Sequence, residues 1–179
     1  MSTPRHRTAP GSSYVATTKC WQGRHIFQIP EVADIPIRTI FHYRDRHLLH
    51  EFVVVPDHLH LLVTPAVDAS LENFIKGGSA HGIHKQRPQR MEIWQQGFYD
   101  WTVRDGDDWS TKVAYIRANP VVAKLVTKPE DWLHSSASGQ YTLDLAPERF
   151  LHVPSRAKAL ALHAGRPGLK PWLPEGRQP

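Results

Sequence analysis

The run Phe52-Val53-Val54-Val55-Pro56-Asp57-His58-Leu59-His60-Leu61-Leu62-Val63 constrains the fold more than any other stretch of the chain. Two apolar, β-branched runs are separated by Pro-Asp, a pair suited to a tight turn, so the segment reads as a hairpin over Leu48–Val55 and His58–Thr64. Side chains alternate faces along a strand, so His58 and His60 project together while Leu59 points the other way. Burying polar rings without partners costs about 1–3 kcal/mol each, so histidines set in an apolar strand must be satisfied or functional. Imidazole is the commonest side-chain metal ligand, and two on one rigid strand supply half of a site for a divalent cation. A solvated pair of strand histidines is the structural alternative.

A chain of 179 residues is long enough to bury one substantial core. Its formal net charge of +5 favours a polyanionic partner over an acidic mimic or a neutral metabolite. The single cysteine, Cys20, excludes an internal disulfide and a thiolate zinc cluster, and fits a reducing cytosol. No apolar stretch reaches the roughly 18 residues a membrane helix needs, and Met1–Arg7 lacks the apolar core of a signal peptide. The expectation is a soluble, cytoplasmic protein, associated with the nucleoid if its partner is DNA, and without a membrane partner.

Residues 1–12, rich in Pro, Ser, Arg and Gly, read as a flexible arm whose Arg5 and Arg7 could touch phosphates. Residues 13–150 read as the domain. Ser13–Cys20 is rich in strand formers, and Ile35–Arg44, after two prolines, has helical spacing. A second helix begins at Ser70–Lys76 and either ends at Gly77-Gly78 or runs toward His84. Ile93–Val103 is aromatic and strand-like, and Asp107–Ala118 is helical. Asn119-Pro120 should interrupt that helix and start a short one through Leu125, with Asn119 as its N-cap. The order β-α-β-β-α-β-α predicts an α+β, ferredoxin-like antiparallel sheet with helices on one face. Residues 151–179 form a basic tail, with Arg156, Lys158, Arg166, Lys170 and Arg177 against Glu175; the alternative is that Leu151, Val153, Leu160, Leu162 and Trp172 pack back on the domain.

If the histidine pair holds a cation, the helix from Asp107 offers Tyr115, with Asn119 four residues later on the same face. A phenol can form an ester to phosphorus, but with a pKa near about 10 it needs a base or a cation-polarised target. Tyr115 is otherwise a half-buried core aromatic, and Asn119 otherwise a helix cap. Tyr99, on the aromatic strand, is the competing nucleophile, although its alternating setting favours sheet packing.

Four motifs, in order, carry a family resemblance: Val55–Val63 with the histidine pair; Trp94-Gln95-Gln96-Gly97-Phe98-Tyr99-Asp100 with Val103-Arg104-Asp105; Tyr115-Ile116-Arg117-Ala118-Asn119-Pro120-Val121; and Trp132-Leu133-His134-Ser135-Ser136. Over roughly residues 13–137 the chain resembles the single-tyrosine HUH transposases, and within them the REP-associated tyrosine transposases. The resemblance implies a bacterial, metal-dependent single-stranded DNA endonuclease and strand transferase that acts at DNA hairpins through a covalent phosphotyrosine. It implies Tyr115 as nucleophile and His58, His60 and Asn119 as metal ligands. Oxygen donors beside imidazoles suit Mg²⁺ or Mn²⁺ better than Zn²⁺. Single-stranded or hairpin DNA is the expected partner, with a monomer favoured over a homodimer.

Arg24, Arg44, Lys76, Lys85, Arg87, Arg90, Arg104, Lys112 and Arg117, together with the tail, could neutralise phosphates, and the aromatics of Trp94–Trp101 could stack unpaired bases. Three other readings compete: a domesticated hairpin-binding protein without transposition, a nuclease without strand transfer, and a nucleotide hydrolase of the histidine-triad type. The last is disfavoured because Leu62 stands where a third histidine would alternate.

Overall fold

The computed structural model describes residues 11–66, 73–87 and 91–151. Strand β1 (Tyr14–Lys19) leads into helix α1 (Pro30–His42), followed by the hairpin β2 (His47–Val55) and β3 (His58–Pro65). A π-helical turn at Asn73–Gly77 passes directly into α2 (Gly78–Gln86); β4 (Tyr99–Thr102) and α3 (Gly106–Val122) complete the core. The sheet is antiparallel in the order β2-β3-β1-β4, the arrangement of a ferredoxin-like split βαβ repeat.

Alternation sorts the strands onto two faces. Ala16, Leu49, Val54, Leu59, Leu61 and Val63 join α1 and α2 residues such as Ala33, Ile37, Ile40 and Ile83 in one core. Val15, Val53, Val55 and Leu62 turn the other way, onto Trp109 and Ile116 of α3. The two crossover helices thus share one face, as expected, and the tyrosine-bearing helix covers the opposite one. No helix among the described residues is long and apolar enough to cross a membrane.

Local expectations shift for identifiable reasons. Pro30, not Ile35, opens α1, and Pro36 lies inside it. Gly77-Gly78 does not end the second helix: a Cβ at Gly78 would sit 2.8 Å from Thr39 Cγ2, and one at Gly82 2.7 Å from Ile35 Cγ2. These glycines let α2 lie close on α1. The aromatic strand shrinks to Tyr99–Thr102, because Gly97 adopts φ +84° and Lys76 Nζ takes the carbonyls of Gln95 and Gly97.

Helix α3 runs through Asn119-Pro120, so Asn119 caps no new helix. Proline removes one helical donor there, two residues before the end, and Ala123 N still donates to Asn119 O at 2.9 Å. Asp105, two positions before the first of the expected acids (Asp107 and Asp108), caps the start of α3 by accepting from Asp108 N at 2.8 Å.

The Trp132–Ser136 motif seals the outer edge of β2. Trp132 Nε1 donates to Val54 O at 2.8 Å, and Val54 N donates to His134 O at 2.9 Å. An open strand edge would otherwise be a template for foreign strands.

Candidate active site at the histidine pair

Strand β3 sets His58 and His60 on the α3 face, with ring centroids 4.7 Å apart. Each ring is oriented through its Nδ1. His60 Nδ1 lies 2.8 Å from Thr17 Oγ1, its register partner on β1, and His58 Nδ1 lies 2.7 Å from Asp57 Oδ1 in the hairpin turn. The Nδ1–H of His58 holds the Asp57 carboxyl below the usual carboxylate range, so the carboxylate is an acceptor only. In the neutral ring that leaves His58 Nε2 as the free lone pair. A carboxylate behind an imidazole is the usual support for a metal-ligating histidine. Burial, followed by repulsion from His58 and Lys19, drives the His60 pKa well below the ordinary histidine value, which keeps that ring uncharged.

Tyr115 from α3 meets this pair: its hydroxyl lies 3.3 Å from His60 Nε2, with the rings edge to face at 5.2 Å. Burial raises the phenol pKa, and a hydrogen bond with Asn119 works the other way. Asn119, one turn on, is buried, and its Oδ1 has no hydrogen-bond partner. An orphaned buried acceptor costs about 1–3 kcal/mol, unless something absent from the polypeptide satisfies it. Two imidazole Nε2 atoms and one amide oxygen form a donor set suited to a divalent cation. Among the described residues no group of three or more His, Cys, Asp or Glu is placed to hold a metal ion. Tyr99 takes no part in this contact; it lies on the edge strand, opposite Thr17.

Three further residues hold α3 in place, and sequence reasoning missed two of them. A β-bulge at Leu49/Glu51 turns both His50 and Glu51 toward α3. His50 meets Trp109 edge-on at 4.9 Å, while the buried Glu51 carboxylate accepts from Arg117 Nε at 3.0 Å and from Ser136 Oγ at 2.6 Å. Arg117, expected on DNA, therefore anchors the tyrosine's helix two residues from Tyr115. The signal was available in Glu51 itself, an acid inside an apolar strand.

Other expected phosphate contacts have structural duties. Arg24 donates to Glu92 O at 2.7 Å, Arg44 pairs with Asp144, and Lys76 holds the two carbonyls beside Gly97. Lys112 is buried between Asp108 and the Trp101 ring. Arg104, Lys85 and Arg87 are exposed. Arg5, Arg7, Arg90, Arg156, Lys158, Arg166 and Lys170 lie outside the described residues, as do the arm (to residue 10) and all but the first residue of the tail.

The family model described as "Transposase IS200 like" matches residues 33–119, a span that contains both histidines, Tyr115 and Asn119. Over that span the chain is similar to the IS200-like transposases. A curated relative, named "Putative REP-associated tyrosine transposase", from Haemophilus influenzae, is 28% identical over 108 residues. That match covers 53% of this chain and 61% of the relative, so the chain spans less than two thirds of its length. Among solved structures, the chain is similar to one described as a REP-associated tyrosine transposase bound to a REP hairpin. The TM-score is 0.59 at 25% identity, covering 87% of this chain and all of that one.

Proposed function

We propose that this chain is an IS200-like transposase, a metal-dependent single-stranded DNA endonuclease and strand transferase that acts at DNA hairpins through a phosphotyrosine. The observation that carries the reading is the Tyr115 hydroxyl 3.3 Å from His60 Nε2, with the orphaned Asn119 Oδ1 beside it. The hairpin in the complex of the similar solved transposase supports the same class of substrate.

The phenol attacks phosphorus, a Tyr115 Oη–P bond forms, and the P–O bond to the neighbouring sugar breaks. The departing sugar oxygen takes a proton and leaves as a free hydroxyl. A second hydroxyl end then attacks the phosphotyrosine, restores a phosphodiester and returns the phenol. His58, His60 and Asn119 would hold Mg²⁺ or Mn²⁺. When bound, such a cation neutralises charge developing on the phosphate oxygens. Without the cation His60 Nε2 meets the phenol; with it that lone pair would serve the metal, and in both states Thr17 orients His60. The buried, uncharged His60 keeps a lone pair available, while Asp57 fixes the rotation of His58. Tyr115 meets His60 of its own chain, the arrangement that a monomer acting in cis would use.

The test uses an end-labelled hairpin oligonucleotide with single-stranded flanks, incubated with Mn²⁺ and resolved under denaturing conditions. Wild-type protein should give a labelled covalent adduct and Tyr115→Phe none, while Tyr115→Phe still binds the DNA. An adduct that survives Tyr115→Phe and disappears in Tyr99→Phe would overturn the assignment.

A further inference from the structure

Edge strand β4 carries a second feature on the catalytic face. Tyr99 pairs with Thr17 and Trp101 with Val15. Directly opposite residues project to the same side of a sheet. Thr17 touches His60, and Val15 belongs to the core under α3, so Tyr99 and Trp101 both face the Tyr115 side. Tyr99, Thr17 and His60 form one row across three strands, which at about 4.8 Å per strand puts the Tyr99 backbone about 10 Å from that of His60.

These two rings are the only aromatics among the exposed large apolar side chains of the described residues, Tyr99 at 58% and Trp101 at 38%. Large exposed rings at a sheet edge are an aggregation liability that folds usually avoid, so their retention asks for an occupant.

Charge selects the occupant. The exposed Arg104 places its cation 5.8 Å from the Trp101 ring centroid, the buried Lys112 backs the same ring at 4.9 Å, and the exposed Lys19, two residues along β1 from Thr17, marks the other end of the strip, so Arg104 and Lys19 are the cations open to a ligand. Asp108 is already paired with both Arg104 and Lys112. An aromatic strip ending in cations is complementary to a polyanion with planar faces: stacking accepts any base, and the cations follow the backbone.

We propose that Tyr99 and Trp101 form a stacking platform for unpaired bases of the DNA strand that enters the Tyr115 site. The platform holds the single-stranded flank, not the hairpin stem, and so positions the phosphate to be cleaved. This rests on the function proposed above and assigns a separate surface to one part of its substrate.

The experiment measures binding on a Tyr115→Phe background, so that no DNA is consumed. Two oligonucleotides are compared, a hairpin with a single-stranded flank carrying 2-aminopurine and the same hairpin with blunt ends. Tyr99→Ala and Trp101→Ala should each weaken binding of the flanked DNA about tenfold, as loss of one base–aromatic stack does, and should reduce 2-aminopurine quenching. Binding of the blunt hairpin should hold, and Tyr99→Phe and Trp101→Phe should retain most of the flanked affinity. A thermal melt checks Trp101→Ala; Tyr99, the more exposed ring, provides the independent variant.

Equal losses on both oligonucleotides, or no loss on either, would overturn the platform. A shift from dimer to monomer in Tyr99→Ala without change in DNA affinity would also overturn it, making this edge a contact between copies. If protein with Tyr115 intact gives adduct while the platform variants bind normally, the platform fails and the function stands. If wild type neither binds flanked DNA nor forms adduct, the function fails and the platform with it.

Discussion

His47 is a histidine that the fold holds uncharged, and replacing it should flatten the acid sensitivity of the protein. The ring is buried at 3% exposure and stacks on Phe74 at 5.5 Å and 11°, and neither nitrogen makes a hydrogen bond of good geometry, with the Tyr43 backbone as a polar neighbour. Burial, reinforced by the nearby Arg44 guanidinium, pushes its pKa down from 6.5 to about 4. A histidine depressed in the folded state takes its proton more readily when unfolded, so stability is full above about pH 6.5 and is lost as pH falls toward 4. The gap between 6.5 and about 4, at about 1.4 kcal/mol per pH unit, makes the loss about 2 kcal/mol by pH 5 and about 3 kcal/mol by pH 4. His50 and His60, also lowered by burial, act in the same direction. Urea unfolding at a series of pH values reads the effect. His47→Phe preserves a flat ring over Phe74 and removes two unsatisfied nitrogens, so at pH 7 it should lie within about 1 kcal/mol of wild type. Between pH 7 and 4 it should lose about 3 kcal/mol less than wild type. Identical losses in the two proteins would refute the reasoning.

Asp57→Ala removes the carboxylate behind His58 and should weaken Mn²⁺ binding about 10- to 100-fold by calorimetry while leaving the fold intact. His58→Ala and His60→Ala should each abolish measurable Mn²⁺ binding; unchanged affinity in both would remove the site. The Glu51–Arg117 pair should respond asymmetrically to substitution, because the Glu51 side chain is 5% exposed and that of Arg117 51%. Arg117→Ala strands a buried carboxylate and should cost about 2–4 kcal/mol, whereas Glu51→Gln, which keeps an acceptor and frees an arginine already half in water, should cost about 1 kcal/mol in denaturant unfolding. Gly82→Ala should destabilise by about 1–2 kcal/mol despite alanine's better helix propensity, since its methyl would meet Ile35 Cγ2 at 2.7 Å; a rise in melting temperature would show that α2 can shift.

Alternation and spacing alone determined the hairpin, the shared face of His58 and His60, and the shared helical face of Tyr115 and Asn119, because strand and helix periodicities are properties of the local backbone. The ferredoxin-like antiparallel layer also followed, since the element order β-α-β-β-α-β leaves few topologies. Three kinds of fact needed the tertiary structure. The partners that orient the histidines are Thr17, more than forty positions away on a neighbouring strand, and Asp57, which read only as a turn residue. The continuity of α3 through Pro120 depends on where the helix ends and what packs on it, which residue preferences cannot weigh. The fate of the basic residues was hidden as well. Sequence records that Arg117, Arg44 and Lys76 are cations, but only the folded chain decides which of them meet Glu51, Asp144 or a backbone carbonyl and which stay in solvent. Charge is a property of a residue, whereas availability for DNA depends on what long-range packing places beside it.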